Sequence, residues 1–538
     1  MNKTDERIIE NLQIYPRAME LLEIVKSAMD AHSVLIFLSV MVYLLYVYRD
    51  KFRYWSKRGV PCQSPAQSIL RTFRLVLRMD SFTDNFHGVY KAFDGHPYVG
   101  SLELTKPILI VRDPELARIV LVKSFSSFSG RLKSPDTTLD PLSNHLFTLN
   151  GEKWRQVRHK MATAFSTAKL KNMFHSLKDC AREMDAYMER AIGDKGDVEF
   201  DALKVMSNYT LEVIGACAMG IKCDSIHDEE TEFKRLSRDF FRFDARRMIF
   251  TLLDLLHPKL PVLLKWKAVR PEVENFFREA IKEAASLKES EAAARTDFLQ
   301  ILIDFQKSEK ASKTDAGDDT ELVFTDNIIG GVIGSFFSAG YEPTAAALTF
   351  CLYELARHPQ VQAKLHEEIL AVREKLGDDI EYETLKEFKY ANQVIDETLR
   401  LYPASGILVR TCTEPFKLPD SDVVIEKGTK VFVSSYGLQT DPRYFPEPEK
   451  FDPERFSEEN KEKILPGTYL PFGDGPRLCI AMRLALMDVK MMMVRLVSKY
   501  EIHTTPKTPK KITFDTNSFT VQPAEKVWLR FQRRTSTP

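Results

Sequence analysis

A fifteen-residue segment near the C-terminal end of the chain constrains the fold more than any other part of the sequence. Residues 471–485 read PFGDGPRLCIAMRLA, in which one cysteine, Cys479, follows a loop with Gly473 and Gly475 and precedes a run with helical periodicity. Glycine permits positive φ and lets the backbone approach a large flat ligand. A helix N-terminus and a cation such as Arg477 both stabilise a cysteine thiolate. The segment therefore suits a thiolate metal ligand, although a lone cysteine is more commonly a buried free thiol.

Four other short motifs precede this segment along the chain. They are WRQVR at Trp154–Arg158, AGYE at Ala339–Glu342, ETLR at Glu397–Arg400 and FDPERF at Phe451–Phe456. Together with PFGDGPRLC, and in this order, they resemble the motifs of the haem-thiolate monooxygenases, the cytochrome P-450 superfamily. The resemblance covers about residues 59–528 and is greatest to the microsomal, xenobiotic-metabolising branch found in arthropods.

The resemblance implies a mainly α fold with a minor β component, in a single large haem domain behind an N-terminal membrane anchor. The residue pattern agrees, because helical periodicity dominates and the strand-like runs, such as 108–111 and 430–434, are short. Length alone favours three or four domains of about 150 residues each. No Gly/Ser-rich linker or internal repeat interrupts residues 59–528, however, and we assign residues 67–538 to one domain.

Charge and cysteine content exclude other classes of protein. The 76 Lys+Arg balance the 76 Asp+Glu, whereas a general nucleic-acid binder needs clustered excess positive charge. We therefore expect no nucleic-acid partner. The seven cysteines are scattered and include no CxxC pair, which argues against a disulfide framework or a structural zinc site.

The N-terminal part of the chain predicts a membrane anchor. Residues 31–48 carry no charge and are mostly apolar, close to the lower limit of about 17 residues for a spanning helix. Residues 49–66 follow as a basic stop-transfer segment and a proline hinge, and the positive-inside rule places this side in the cytosol. Residues 1–30 form an N-terminal extension of unassigned role. We expect a single-pass protein of the endoplasmic reticulum membrane whose catalytic domain faces the cytosol, with a buried core helix at 31–48 as the alternative.

The resemblance also implies a cofactor and the residues that hold it. Cys479 is the expected metal ligand, the axial thiolate of haem b, where its electron donation favours O–O cleavage. The other expected cofactor-binding residues are Arg477, Phe472, Trp154, Arg158 and Arg410. For the arginines the alternative is ordinary surface charge.

The ETLR and FDPERF motifs are expected to stabilise the fold. Glu397 and Arg400 are three residues apart on one helical face, so their side chains can interact. By the resemblance, Arg455 completes a buried network of three charged residues that fixes the cysteine loop.

A long helix over residues 325–358 is expected to contribute the catalytic residues. Thr325 is a plausible N-cap and Pro359 a stop signal. The resemblance places Ala339, Gly340, Glu342 and Thr344 at the site of oxygen activation. An internal proline, Pro343, predicts a kink that opens a groove for dioxygen.

This motif departs from the family pattern. The usual order ends in an acid followed by a threonine whose hydroxyl handles protons, whereas here Pro343 occupies the alcohol position and Thr344 is displaced by about 100° round a regular helix. A kink at Pro343 either re-aims Thr344 or leaves the oxygen chemistry prone to peroxide release. Ala481 also stands where a glycine is usual after the cysteine.

The resemblance implies a membrane-bound monooxygenase that inserts one atom of dioxygen into lipophilic substrates, either xenobiotics or endogenous lipids and hormones. NADPH electrons would come through a separate flavoprotein reductase, with cytochrome b5 as a further donor, because no nucleotide-binding GxGxxG occurs in the chain. The apolar stretch 240–266 would roof the substrate pocket, with plain hydrophobic core as the alternative. Lys153, Arg155, His159 and Lys160 would form the reductase docking face, with an ordinary solvated charged surface as the alternative. Two alternatives are a reductase-independent isomerase or dehydratase acting on peroxides, and a non-catalytic protein that binds haem and lipophiles.

Overall fold

The computed structural model describes residues 39, 43, 49–131, 140–228, 231, 233–236, 245–257, 259–267, 269–286, 297–316 and 323–535. The N-terminal extension and, apart from residues 39 and 43, the predicted anchor lie outside these residues. Within the described ranges no helix is long and apolar enough to cross a membrane.

Helices dominate the structure and strands are a minor component, as the sequence predicts. In chain order the α-helices are α1 (Pro65–Val76), α2 (Phe82–Ala92), α3 (Pro114–Arg118), α4 (Gly151–Ala164), α5 (Thr167–Ile192), α6 (Ala202–Ile214), α7 (Ala245–Leu256), α8 (Lys259–Leu263), α9 (Pro271–Ser286), α10 (Phe298–Ala316), α11 (Asp326–Arg357), α12 (Pro359–Leu376), α13 (Lys389–Leu401), α14 (Ser435–Gln439), α15 (Glu458–Lys461) and α16 (Met482–Lys499).

The strands form three small sheets among the described residues. They are β1 (Tyr98–Glu103), β2 (Lys106–Val111), β3 (Asp197–Asp201), β4 (Leu408–Thr411), β5 (Phe416–Lys417), β6 (Val424–Ile425), β7 (Lys430–Val433), β8 (Tyr500–Thr504) and β9 (Trp528–Arg533). The largest sheet has the order β1-β2-β7-β4, in which β2 and β7 are parallel and the other pairs antiparallel. The second has the order β3-β9-β8, and the third pairs β5 with β6.

Helix α11 runs through the main hydrophobic core and packs against α6, α13 and α16. It begins where the sequence predicts, since the Thr325 hydroxyl accepts the N–H of Ile328 at 3.3 Å, and it ends just before Pro359. Gly340 permits the close contact with α6, because a Cβ at this position would lie 2.5 Å from the Ile214 Cδ1. The helix continues on both sides of Pro343.

Helix α10 extends well beyond its apolar part. Residues 298–305 are mostly apolar, and polar and charged residues follow, yet the helix continues to Ala316. Tertiary contacts provide the reason. The Glu309 carboxylate accepts the main-chain N–H groups of Val323 and Phe324 at 3.1 and 3.0 Å and pairs with Lys160 on α4.

Candidate active site

The loop before α16 is closed by its own main chain. The Cys479 N–H donates to the Phe472 carbonyl at 3.0 Å, and the Leu478 N–H donates to the Gly475 carbonyl at 2.9 Å. Gly473 and Gly475 have φ of 77° and 69°, as expected for a loop that needs the left-handed region. Gly475 is also sterically required, because a Cβ there would lie 2.1 Å from the Leu121 carbonyl oxygen. The loop therefore holds Cys479 at the start of α16.

The Cys479 side chain is accessible, yet protein atoms surround it closely. Desolvation by these atoms raises the pKa of the thiol above its usual value. A hydrogen bond from the Ala481 main chain opposes this effect, as do the charges of Arg158 and Arg131. A sulfur that is both accessible and desolvated fits a position on the wall of an internal space. Such a sulfur is open to a ligand.

The structure corrects the predicted role of Arg477 as a cation that stabilises the Cys479 thiolate. The cations that act on Cys479 are Arg158 and Arg131, and Arg477 is turned away towards Ser129 and residues 146–150. Its guanidinium donates to the carbonyls of Ser129, Leu146 and Leu149 at 3.0, 3.1 and 3.1 Å, and to Asn150 Oδ1 at 3.4 Å. These bonds occupy four of its five N–H groups, so Arg477 pins the cysteine loop and keeps one donor for a ligand.

Trp154 and Arg158 lie on α4 and both reach the cysteine loop. The Trp154 ring packs under the Arg477 guanidinium, 4.2 Å from ring centroid to carbon. The Arg158 Nη2 donates to the Leu478 carbonyl at 2.8 Å, which fixes the residue before Cys479. The WRQVR motif therefore positions the cysteine loop through these two side chains.

Arg410 has more unused donors than Arg477. It lies on β4 opposite Val431, is 1% exposed, and donates one bond, to the Val409 carbonyl at 3.0 Å. Its Nε is buried without a hydrogen-bond partner. Burial and the neighbouring Arg131 and Arg477 lower the pKa of Arg410 to about 9, with Asp474 as the opposing charge.

Arg131 was not predicted from the sequence, and no motif marks it. Its guanidinium stacks over the Phe147 ring at 4.4 Å, and its main-chain N–H donates to Asn150 Oδ1 at 3.0 Å. Burial lowers the pKa of Arg131 to about 10, and Cys479 opposes that shift. Burial lowers the pKa of His145 to about 4 and Arg131 adds to this effect, so this histidine is neutral at physiological pH.

The arginines around Cys479 provide a test of fit for the expected haem. Arg131, Arg158, Arg410 and Arg477 interact electrostatically with one another or with Cys479, and Asp474 is the carboxylate that acts on Arg410. Clustered, desolvated guanidinium groups with an unused donor favour an anionic ligand. A haem supplies two propionates for them and an iron for the accessible sulfur. The residues present fit this group.

The predicted charged network lies behind the loop. Arg400 Nε and Nη2 donate to the two Glu397 oxygens at 2.7 and 2.8 Å, and both side chains are fully buried. Arg455 Nε lies 3.4 Å from Glu397 Oε1, so the three-residue ion network is confirmed. Burial raises the pKa of Glu397, and the two arginines oppose that shift.

Gln439 connects this network to the cysteine loop. Its side chain donates to the Leu399 and Arg400 carbonyls at 3.0 and 2.9 Å, and its Oε1 accepts the Leu470 N–H at 2.8 Å. Leu470 directly precedes the loop. Gln439 is fully buried and carries no charge, so nothing in the sequence singles it out.

The predicted catalytic residues occupy the middle of α11. Ala339 is exposed between half-buried neighbours, and Gly340 lies against α6. Thr344 is buried, and among the described residues no hydrogen bond is found for its hydroxyl. Glu342 accepts a hydrogen bond from Thr520 at 3.4 Å, and burial raises its pKa to about 7.

One residue of the predicted docking face has another role. Lys153, Arg155 and His159 are exposed on α4, in agreement with a charged surface. Lys160 is bound to Glu309 of α10, so its charge is already paired. The apolar stretch 240–266 is described in part, and residues 240–244 and 258 lie outside the described residues.

Comparison with known proteins gives one consistent result. Residues 68–530 match the family model described as Cytochrome P450. The chain is 33% identical over 518 residues to Cytochrome P450 6k1 of Blattella germanica, an alignment that covers 94% of this chain and 98% of that protein. It is 32% identical over 492 residues to Probable cytochrome P450 6a14 of Drosophila melanogaster, covering 90% and 96%. Cytochrome P450 9e2 of Blattella germanica is 32% identical over 519 residues, covering 93% and 97%.

Proposed function

This chain belongs to the cytochrome P450 family of haem-thiolate monooxygenases, and on that premise we propose that it oxidises lipophilic molecules at the cytosolic face of the endoplasmic reticulum membrane. Electrons come from NADPH through a separate flavoprotein reductase, with cytochrome b5 as a further donor. The observation that carries the proposal is the accessible Cys479 sulfur beside Arg131 and Arg158, which form an arginine cluster with Arg410 and Arg477.

The site residues divide into those that hold the haem and those that handle protons. Cys479 ligates the iron, and the thiolate form that ligation needs is favoured by the Ala481 amide, Arg158 and Arg131. Arg410 offers its unused N–H donors to a propionate, while Trp154 and Arg477 hold the loop in place. Phe472 contributes the carbonyl that closes the loop on Cys479. When bound, the haem supplies the iron at which dioxygen is activated.

The proposed proton-handling residues lie on α11. Thr344 has a hydroxyl that is not tied to the helix main chain, which leaves it available to a ligand or to water. Glu342 has a pKa of about 7 and so exchanges a proton readily at physiological pH. Ala339 is exposed and carries only a methyl group, which leaves space beside it, whereas Gly340 brings this part of α11 against Ile214 of α6.

An exposed apolar surface supports attachment to a membrane. On and just after α1, Leu70 and Leu77 are 62% and 55% exposed, and in α8 Leu263 is 75% exposed. Phe73, Met79, Leu256 and Leu264 are further exposed apolar residues of the same region, where α1 contacts α7 and α7 contacts α8. Single exposed apolar side chains are ordinary, but a group of them is typical of a membrane or protein contact. With residues 31–48 as a single-pass anchor, this surface would lie against the lipid.

The exposed basic side chains of α4 support docking of an acidic reductase. Lys153 and His159 project on the same helix that carries Trp154 and Arg158, so a partner bound there would be close to the haem site. Arg155 is exposed on the same helix and pairs with Glu152 at 3.0 Å.

The test is a reconstitution of the full chain in lipid vesicles with the reductase, NADPH and a panel of lipophilic substrates. Oxygen consumed, hydroxylated product and hydrogen peroxide are measured for the wild type and for Cys479→Ser, which lacks the thiolate. We expect reductase-dependent product from the wild type only. No reductase-dependent oxygen consumption would overturn the proposal.

A second candidate function is favoured by Pro343, which removes the alcohol from its usual position. It is a reductase-independent isomerase or dehydratase that acts on peroxides. Turnover of lipid hydroperoxides without NADPH, in the same vesicles, would support this candidate over the first.

A further inference from the structure

A series of hydrogen bonds on the C-terminal loop leads from the surface to Glu342. Thr520 Oγ1 donates to Glu342 Oε2 at 3.4 Å, and Ser518 Oγ lies 2.9 Å from Thr520 Oγ1. Gln522 Nε2 donates to the same Thr520 oxygen at 3.2 Å. Ser518 is half-buried and its neighbour Phe519 is 64% exposed, so the outer end of the series lies at the surface.

The direction of these bonds follows from counting donors. A hydroxyl has one hydrogen and two lone pairs. The hydrogen of Thr520 is used on the Glu342 carboxylate, and one lone pair accepts Gln522. The other lone pair faces Ser518, which must therefore be the donor. Ser518 Oγ is itself held by the main-chain N–H of Thr520 at 3.0 Å, so both hydroxyls are fixed in line with the carboxylate.

We propose that Thr520 is a positioning residue that passes protons from the surface through Ser518 to Glu342, and so serves the proton supply of a chain that lacks the alcohol at position 343. The proposal rests on the proposed monooxygenase function. A solvent proton binds Ser518 Oγ as Ser518 gives its own proton to Thr520 Oγ1 and Thr520 gives its own to Glu342 Oε2. At each hydroxyl one O–H bond forms and one breaks, and Glu342 becomes neutral. Rotation of the two hydroxyls restores the starting arrangement.

The surroundings of Glu342 suit a carboxyl that gains and loses a proton near neutral pH. Burial raises its pKa to about 7. The charged groups that face it are Asp515 of the same C-terminal loop, which raises this pKa, and Arg247 of α7, which lowers it. The bonds from Thr520 and Gln522 favour the carboxylate and also lower the pKa.

Infrared titration of the full chain tests the proposal without turnover. The carboxyl band of Glu342 is assigned by its loss in Glu342→Gln, and its titration is compared in Thr520→Val, Thr520→Ser and Thr513→Val. Thr513 is a matched control, since it is on the same C-terminal segment and its hydroxyl donates to Glu525 at 2.8 Å. We expect Thr520→Val to raise the pKa of Glu342 by about one pH unit, as a hydrogen bond to the carboxylate is lost. Thr520→Ser and Thr513→Val should titrate as the wild type does.

Turnover provides the second measurement. In the reconstituted system Thr520→Val should release more peroxide per oxygen consumed and show a larger solvent deuterium isotope effect, and Thr520→Ser should restore both values. An unchanged Glu342 band in Thr520→Val, or no band lost in Glu342→Gln, overturns the proposal. Absence of any monooxygenase product with a shifted band would instead overturn the proposed function and leave the link between Thr520 and Glu342 established.

Discussion

Gly475 and Gly473 have similar backbone angles but different surroundings. The same substitution at the two positions therefore separates the effect of the surroundings from that of the backbone angle. A Cβ at Gly475 would meet the Leu121 carbonyl oxygen at 2.1 Å, whereas the nearest atom to a Cβ at Gly473 is a Leu408 methyl at 3.9 Å. The left-handed conformation costs a non-glycine residue about 1–2 kcal/mol in both places. At Gly475 the clash with Leu121 would also displace the backbone of the loop that carries Cys479.

We therefore predict that Gly475→Ala loses thiolate-ligated haem while Gly473→Ala retains it. The measurement is the Soret band of the ferrous carbon monoxide complex relative to total protein, together with denaturant unfolding. Gly473→Ala should be less stable by about 1–2 kcal/mol, the cost of its positive φ. Equal haem loss in the two variants would contradict the role given to the Leu121 contact.

At the level of residues, sequence motifs predicted what a local pattern can encode. The positive φ of both loop glycines, the Thr325 cap and the Glu397–Arg400 pair all depend on neighbours within a few positions. Arg131 and Gln439 could not be predicted in this way. Their partners are in other elements, and each is chemically unremarkable until the fold brings it to the cysteine loop.

Helix α11 shows how one element can tolerate an internal proline. Pro343 has no N–H, so the carbonyl four residues earlier, on Ala339, lacks its helical donor. The helix nevertheless continues, because packing on both sides holds it. The Thr210 hydroxyl of α6 lies 3.3 Å from both the Tyr341 carbonyl and the Ser207 carbonyl of its own helix, so its one hydrogen is shared between a cross-link beside the proline and α6.

Pro343→Ala and Pro343→Thr separate the backbone effect of the proline from the missing alcohol. Both variants restore the main-chain N–H, so both should raise the free energy of unfolding, by about 1–3 kcal/mol. Only Pro343→Thr adds a hydroxyl. With Thr520 intact its effect on peroxide release should be small. In the Thr520→Val background it should lower peroxide release relative to Pro343→Ala.

The measurement is peroxide and product per oxygen consumed for the four combinations of Thr or Ala at 343 with Thr or Val at 520. Equal peroxide release from Thr and Ala at 343 in both backgrounds would show that a hydroxyl at this position has no part in proton supply. The stabilisation expected from the restored main-chain N–H at position 343 would still be tested, because it is measured separately by unfolding.

At the level of the whole molecule, residues far apart in sequence meet behind the cysteine loop. Glu397 of α13 accepts the main-chain N–H of Asp452 at 2.9 Å, and Arg400 donates to the Gln439, Pro448 and Lys450 carbonyls. These contacts explain why the sequence predicted the network but not its extent. The motif residues are recognisable, whereas the carbonyls that satisfy Arg400 could come from any residue type.

Two variants test how this network supports the cysteine loop. Glu397→Gln removes the carboxylate between two guanidinium groups and leaves a fully buried positive charge at Arg400, so it should destabilise the protein by about 3–5 kcal/mol. Arg455→Met is the milder comparison. Its ion pair is longer, 3.4 Å, and its side chain is 15% exposed, so about 1 kcal/mol is expected. The measurements are the free energy of unfolding and the fraction of protein with thiolate-ligated haem.

In Glu397→Gln the free energy of unfolding and the fraction of thiolate-ligated haem should fall together. Gln439 connects Arg400 to Leu470, and Leu470 directly precedes the loop that holds Cys479, so a disturbance at residue 397 reaches that loop. Gln439→Leu removes only that connection and keeps the ion pairs. It should therefore lose haem at a smaller cost in stability than Glu397→Gln. Full haem retention in Gln439→Leu would show that the network acts on folding alone, and that the cysteine loop is held instead by Arg158, Arg477 and the packing of Gly475.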